Sequence, residues 1–245
     1  MTKTIYLTID DAPSTDCINK LDFLDEHNIK AVWFTEGKRI EDLFDSAVEI
    51  VKRGHIIGNH AYSHPHFSEI SIEACCDEIT RTHELVERVY TVANVERQHR
   101  YFRFPYGDKG NCVNGDVDVV ATPEGMARHT AIQSHLRSLG YTQPTWDDIT
   151  YGYMRDTGIF EDIDWYWTYD TRDWCPYVPE SDCEHKTPEK VLARLDEDVP
   201  DDWRGINYLD SAEIVLVHDH VTADKIFQQI IHKLIEKSVE FGFPS

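Results

Sequence analysis

Apolar and polar positions along the chain switch repeatedly between a strand-like and a helix-like period. Residues 4–9 (TIYLTI) read as a strand, and Ser14 is placed to cap a helix running to about Asn28. Residues 30–35 (KAVWFT) form a second strand. Residues 41–53 carry Leu43, Phe44, Ala47, Val48 and Val51 at helical spacing; Gly54 ends that helix and 55–58 make a short third strand. Beyond it the pattern predicts a long helix over 72–92, a strand over 101–104, a helix over 123–139 that starts on Pro123, and a strand over 165–169. A helix over 188–198, a strand over 213–217 and a helix over 222–237 complete the chain. The continuously apolar run 214–217 suits a parallel strand buried on both faces. Repeated strand-then-helix units predict an α/β protein built on a parallel sheet or barrel.

Two stretches break the rhythm. Residues 107–122 are rich in Gly, Asn and Asp and read as a loop, and residues 141–164 are polar and aromatic without clear periodicity. Long irregular segments of this kind sit most often at the ligand-binding end of such folds. Neither an internal repeat nor a linker is apparent, so residues 1–245 read as a single domain with an atypical loop segment at 141–164.

Charge narrows the partners. The 245 residues include 45 Asp and Glu against 24 Lys and Arg, a formal net charge of −21. Such a surface repels phosphate backbones and anionic lipid, which argues against nucleic-acid and membrane-surface binding. The start MTKTIYLTIDD has no apolar core or cleavage site of a secretory leader, and the expected location is cytoplasmic. The six cysteines (Cys17, Cys75, Cys76, Cys112, Cys175 and Cys183) are expected to be reduced, because a chain this long needs no disulfide staples.

Candidate chemistry lies at the strand ends. Asp10 and Asp11 close the first strand; two adjacent carboxylates are costly unless a cation is near, although an Asp-rich turn before Pro13 would look the same. His60 and His64 are spaced to converge on one ion, with Pro65 favouring a loop over a helix, and His66 is assigned to the loop surface. Arg103 follows another strand, where it can pair with a carboxylate and keep it ionised. Asp170 and Asp173 follow the next, and His218 ends the last, where a core histidine is the plainer reading. Taken together, these groups fall at the C-terminal ends of predicted strands, the end at which parallel α/β barrels build active sites.

The ordered motifs TIDD (8–11), HAYSH (60–64), RFPY (103–106), DTRDW (170–174) and LVH (216–218) resemble those of the polysaccharide deacetylases, the NodB-homology or fourth carbohydrate-esterase family. The resemblance implies a distorted (β/α) barrel of about seven repeats. It implies one divalent metal ion held by Asp11, His60 and His64, zinc first among candidates, with cobalt, nickel and iron behind it. Asp10 would be the general base, with Arg103 holding it ionised, and the Tyr106 N–H would steady the oxyanion. His218 would be the general acid, oriented by Asp170, and Trp174 and Leu216 would line a pocket for the acyl methyl group. The implied partner is a carbohydrate bearing an N-acetyl amino sugar. An amidohydrolase or deformylase of a small amide or ureide is the nearest alternative, and an inactive sugar-binding protein a more distant one.

Two departures stand out: Ala12 replaces the family's usual Gly and would bring a methyl group to the substrate floor, and Ala61 replaces the Ser or Thr that braces the metal loop, leaving that task to Ser63 or the backbone. Trp146, Tyr151, Tyr153, Phe160 and Trp165 are candidates for stacking on sugar rings, or equally for a hydrophobic patch or subunit contact.

Overall fold

The computed structural model describes residues 2–111, 122–157, 159–200, 205–221 and 223–244. The first strand, β1 (Thr4–Ala12), alternates from Ile5 to Asp10, and its register shifts between Ile9 and Ala12. Ile5, Leu7 and Ile9 point into a large core shared with the helices, while Tyr6, Thr8 and Asp10 take the other face. Around it lie β2 (Val32–Thr35), β3 (Ile56–Asn59), β4 (Tyr169–Asp170), β5 (Glu213–His218) and β6 (Glu240–Gly242). The order is β3-β2-β1-β5-β4, with β6 against the first residues of β1, and every ladder is parallel. Parallel neighbours need crossovers, which the helices supply: α1 (Cys17–Glu26), α2 (Gly37–Asp42), α3 (Phe44–Lys52), α4 (Ile72–Ala93), α5 (Pro123–Ser138), α6 (Gly152–Asp156), α7 (Pro188–Arg194) and α8 (Asp224–Glu236).

The α/β architecture with a parallel sheet agrees with the sequence pattern, and among the described residues the ladder stays open between β3 and β4. Single main-chain bonds span that gap. Asn59 N donates to Tyr101 O (2.8 Å), Arg103 N to Asn59 O (3.0 Å), and Trp165 N to Phe102 O (2.8 Å). The strand expected over 101–104 is therefore one isolated bridge, Asn59 to Phe102. Other boundaries moved for local reasons. The helix expected over 41–53 is two helices, because Leu43 (φ −131°, ψ 47°) leaves helical geometry. Ser14 does not cap α1; its side chain is engaged by Asp219, and the helix begins at Cys17. β6 was not foreseen. The start expected for the last helix, Thr222, most of the loop 107–122 and Cys112 lie outside the described residues. Among the described residues no helix is long and apolar enough to cross a membrane.

Segment 141–164 turns out to pack inward. Trp146, Tyr151 and Trp165 are buried in a second apolar cluster with Val32, Phe34, Ile56, Tyr101 and Ile214, and Tyr153 and Phe160 pack against it. Trp146 and Trp165 meet edge-on at 4.9 Å, and Tyr6 meets Trp146 at 5.0 Å. Hydrophobic burial, not sugar stacking, accounts for these five rings, none of which lines the cleft described next.

Candidate active site

At the C-terminal ends of β1, β3 and β5 a cleft of about 570 Å³ is lined by Asp10, Asp11, His60, His64, Tyr106, Asp170, Trp174, Leu216 and His218, with Glu36, Arg39, Trp167, Arg172, Val178 and His220 among its other walls. Asp10 and His218 are register partners across β1 and β5, which places them side by side at the rim.

Arg103 organises one side. Fully buried, its guanidinium lies 4.3 Å from the Phe34 ring centre and donates from one nitrogen to Thr8 Oγ1 and to Asp10 Oδ1, both at 2.8 Å. Its carbonyl takes the Nδ1–H of His60 at 2.8 Å. A carbonyl only accepts, so this bond fixes the tautomer and leaves the His60 Nε2 lone pair facing the cleft. Burial pushes the His60 imidazole down to about 4, keeping it neutral.

Asp11 takes a left-handed conformation (φ 60°) that turns its carboxylate toward the two imidazoles. Its Oδ1 lies 3.2 Å from His64 Nε2 and 3.5 Å from His60 Nε2, yet this buried oxygen has no hydrogen-bond partner. Burial alone would raise the Asp11 carboxyl; the imidazoles of His64 and His218 outweigh it and hold the group well below the usual carboxylate range. One ligand atom from each of Asp11, His60 and His64 falls within 4.8 Å of the others, a donor set of the hard-and-imidazole type that suits a divalent ion. An orphaned anionic oxygen against two imidazole nitrogens fits a cation and is unfavourable without one.

The loop that carries these ligands is braced without the missing hydroxyl. Ala61 N donates to Asn59 Oδ1 (2.9 Å), and the Glu78 carboxylate on α4 receives Tyr62 N (2.9 Å), Ser63 N (2.7 Å) and Ser63 Oγ (2.9 Å). Ser63 does take part, and Asn59 and Glu78 are bracing residues the motif reading missed. Glu78 lies 15 residues past Ser63 in sequence, with no local signal. The methyl of Ala12 lies in the apolar core, not on a substrate floor.

The acid side needs a correction. Asp170 does not reach His218. Its Oδ1 accepts from Arg172 N (2.7 Å) and its Oδ2 from Trp174 Nε1 (3.3 Å), so it shapes its own turn. Asp173 is the partner: Oδ1 lies 2.8 Å from His218 Nδ1, and Oδ2 accepts His218 N at 2.8 Å. A positive φ at Arg172 (60°) redirects the chain between the two aspartates. Burial opposes charge on His218, but the Asp173 carboxylate beside it pushes the imidazole up to about 10.

Tyr106 also has a positive φ (58°), and its ring is 52% exposed at the cleft mouth, stacked on His66 at 4.0 Å and edge-on to His64 at 4.5 Å. His66 thus belongs to the rim of the site. Trp167, which the motifs did not single out, lines the cleft as well. The expectation of six reduced cysteines fails at Cys175 and Cys183, which form a disulfide just after Trp174; the intervening turn brings their Cα atoms to 5.9 Å, within bridging range.

The sequence signature of the family described as polysaccharide deacetylase matches residues 1–144. A peptidoglycan-N-acetylglucosamine deacetylase of Bacillus cereus is 34% identical over 105 residues, 42% of this chain and 36% of its own length. A chitooligosaccharide deacetylase of Rhizobium leguminosarum bv. trifolii is 33% identical over 100 residues, 40% of this chain and 46% of its own. The chain thus matches less than half the length of either. A family 4 carbohydrate esterase from Streptomyces lividans, solved with acetate, shares the fold at a TM-score of 0.61 and 19% identity, over 99% of this chain and 93% of that one. A pseudoenzyme of the same family from Bacillus anthracis does so at 0.62 and 21%, over 98% and 63%.

Proposed function

This chain belongs to the polysaccharide deacetylase family, and from that premise we propose that it is a metal-dependent hydrolase removing N-acetyl groups from an amino sugar in a poly- or oligosaccharide or its precursor. A pseudoenzyme shares the fold, so the fold does not carry this reading. The observation that carries it is one cleft holding three convergent ligands, an Arg-paired carboxylate and an Asp-paired imidazole.

Asp11, His60 and His64 would hold a divalent ion, zinc before cobalt, nickel or iron; when bound, it supplies a Lewis acid that acidifies water and polarises the acyl carbonyl. Asp10, held by the Arg103 guanidinium, is placed to take a proton from the attacking water. The Tyr106 N–H is assigned to the developing oxyanion. His218, kept charged by Asp173, delivers a proton to the departing sugar amine. Trp174 and Leu216 enclose the acyl methyl group, and the exposed Tyr106 ring gives the sugar an apolar face.

The test is acetate release from chitin oligomers, peptidoglycan fragments and nucleotide-linked N-acetyl sugars, each with added zinc, cobalt or nickel. Acetate from at least one class is expected. Release from none, with formate or ammonia freed from a small amide or ureide instead, would overturn the sugar reading.

A further inference from the structure

The ladder between β1 and β5 ends at the pair Asp10 and His218, one residue from each chemical side of the cleft. Past it, Asp219 N donates to Asp10 O at 2.8 Å, and both chains then turn away. Those two turns are joined by a charged group with no access to water. The Asp219 carboxylate receives Ser14 N (2.6 Å) and Ser14 Oγ (2.7 Å) from the turn after β1, and Lys20 Nζ (2.5 Å) from α1. Lys20 also donates to His220 O at 3.2 Å and faces Asp224 Oδ1 at 3.4 Å. Lys20 and Asp219 are both 0% exposed. Asp219 sits between two histidines that line the cleft, and Ser14 lies three positions after Asp11.

A buried ion pair is a weak device for stability, since an apolar pair of similar volume packs as well or better. What it supplies is direction: three donors aimed at one carboxylate allow one arrangement of the two turns. We propose that Lys20 and Asp219 are positioning residues, a buried strut that sets the separation between the carboxylate side and the imidazole side of the cleft. The inference rests on the hydrolytic reading of that cleft. Neither residue touches substrate; both act through Ser14, His218 and His220.

The experiment compares Lys20→Met, Lys20→Arg and the double variant Lys20→Met/Asp219→Asn with the wild type, on an N-acetylated oligosaccharide that the wild type turns over. Lys20→Met should lower kcat roughly 10- to 100-fold, the scale of a small misplacement of reacting groups, while KM and bound metal stay as in the wild type. Lys20→Arg should recover part of the loss. The double variant removes both members of the fully buried pair and leaves only the partly exposed Asp224 without Lys20, so it should recover most of the thermal midpoint without recovering kcat. Recovery of both, or a folded Lys20→Met at wild-type kcat, would overturn the strut, and the double variant carries the test if Lys20→Met does not fold. Should the wild type release no acetate, the hydrolytic reading fails separately. The strut is then read from the imidazole resonances of His218 and His220: displacement in the double variant supports it, and unchanged resonances overturn it.

Discussion

Two carboxylate–imidazole groups share the cleft and use the same residue types in opposite ways. At Asp173 both oxygens are engaged by one residue, Oδ1 by His218 Nδ1 and Oδ2 by His218 N. At Asp11 the buried Oδ1 faces two Nε2 atoms and bonds to neither, while the other nitrogen of His60 is already committed to Arg103 O. The first group is satisfied by protein alone and stores a proton. The second is satisfied only when a cation takes the space between its atoms. Residue type therefore does not separate an acid from a ligand set; the direction of each lone pair does.

The strongest break in that comparison comes from the ligand side. His60→Ala should lose the bound ion and bring acetate release to assay background, with chelation of the wild type doing the same and added zinc reversing only the latter. Metal analysis per chain alongside turnover checks it. A His60→Ala protein that kept both its ion and its rate would show that Asp11 and His64 do not need their third partner.

The acid side should respond with a smaller loss of a different kind. Asp173→Asn should lower kcat by about 10²- to 10⁴-fold, the range of a lost general acid, with the ion still bound. The pH profile distinguishes the cause. With Asp173 in place, His218 titrates at about 10, so the alkaline limb of kcat lies far above neutrality. Without that carboxylate the limb should fall toward the ordinary imidazole value of about 6.5. The same shift is a stability term. The folded value is raised, so the charged imidazole stabilises the fold fully below about pH 6.5, and that contribution is lost as pH rises toward 10. Asp170→Asn, whose side chain bonds to Arg172 N and Trp174 Nε1, should leave the alkaline limb in place. A limb moved by Asp170→Asn and not by Asp173→Asn would restore the assignment suggested by the motif alone.

That misassignment shows where sequence reading runs out. Asp11, His60 and His64 were legible because each stands within a residue or a short loop of a strand end, and strand ends are visible in the apolar pattern. Asp170 ends β4 and Asp173 lies three residues past it, and the choice between them depends on the positive φ of Arg172, a residue type that rarely takes it. Glu78 was invisible because its work is done on the backbone of a loop 15 residues away in sequence, and Asn59 because its bond to the Ala61 N–H two residues on belongs to no motif. The fold was legible in its strand-then-helix alternation. The closing contacts at 101–103 and 165 were not, because they are single main-chain bonds and carry no two-residue period. Segment 141–164 has no period because it fills an interior instead of forming one face of an element.

That interior yields the smallest expected effect on turnover. Trp146 packs edge-on against Trp165, and the Trp165 carbonyl lies 3.4 Å from Arg103 Nε. Arg103 serves both groups at once, through its carbonyl on His60 and its guanidinium on Asp10. Trp146→Ala removes a large buried ring and should cost about 3–5 kcal/mol of stability, read as a lower thermal midpoint. Arg103 keeps its bonds to Thr8 and Asp10 without Trp146, so turnover per folded molecule, bound metal and the alkaline limb should all stay as in the wild type. An increase in KM that grows with oligomer length would instead make the aromatic segment part of substrate binding. Loss of metal with the alkaline limb unmoved would show that the ligand group leans on this packing while the acid group does not, and the contrast between them would then extend from their lone pairs to their foundations.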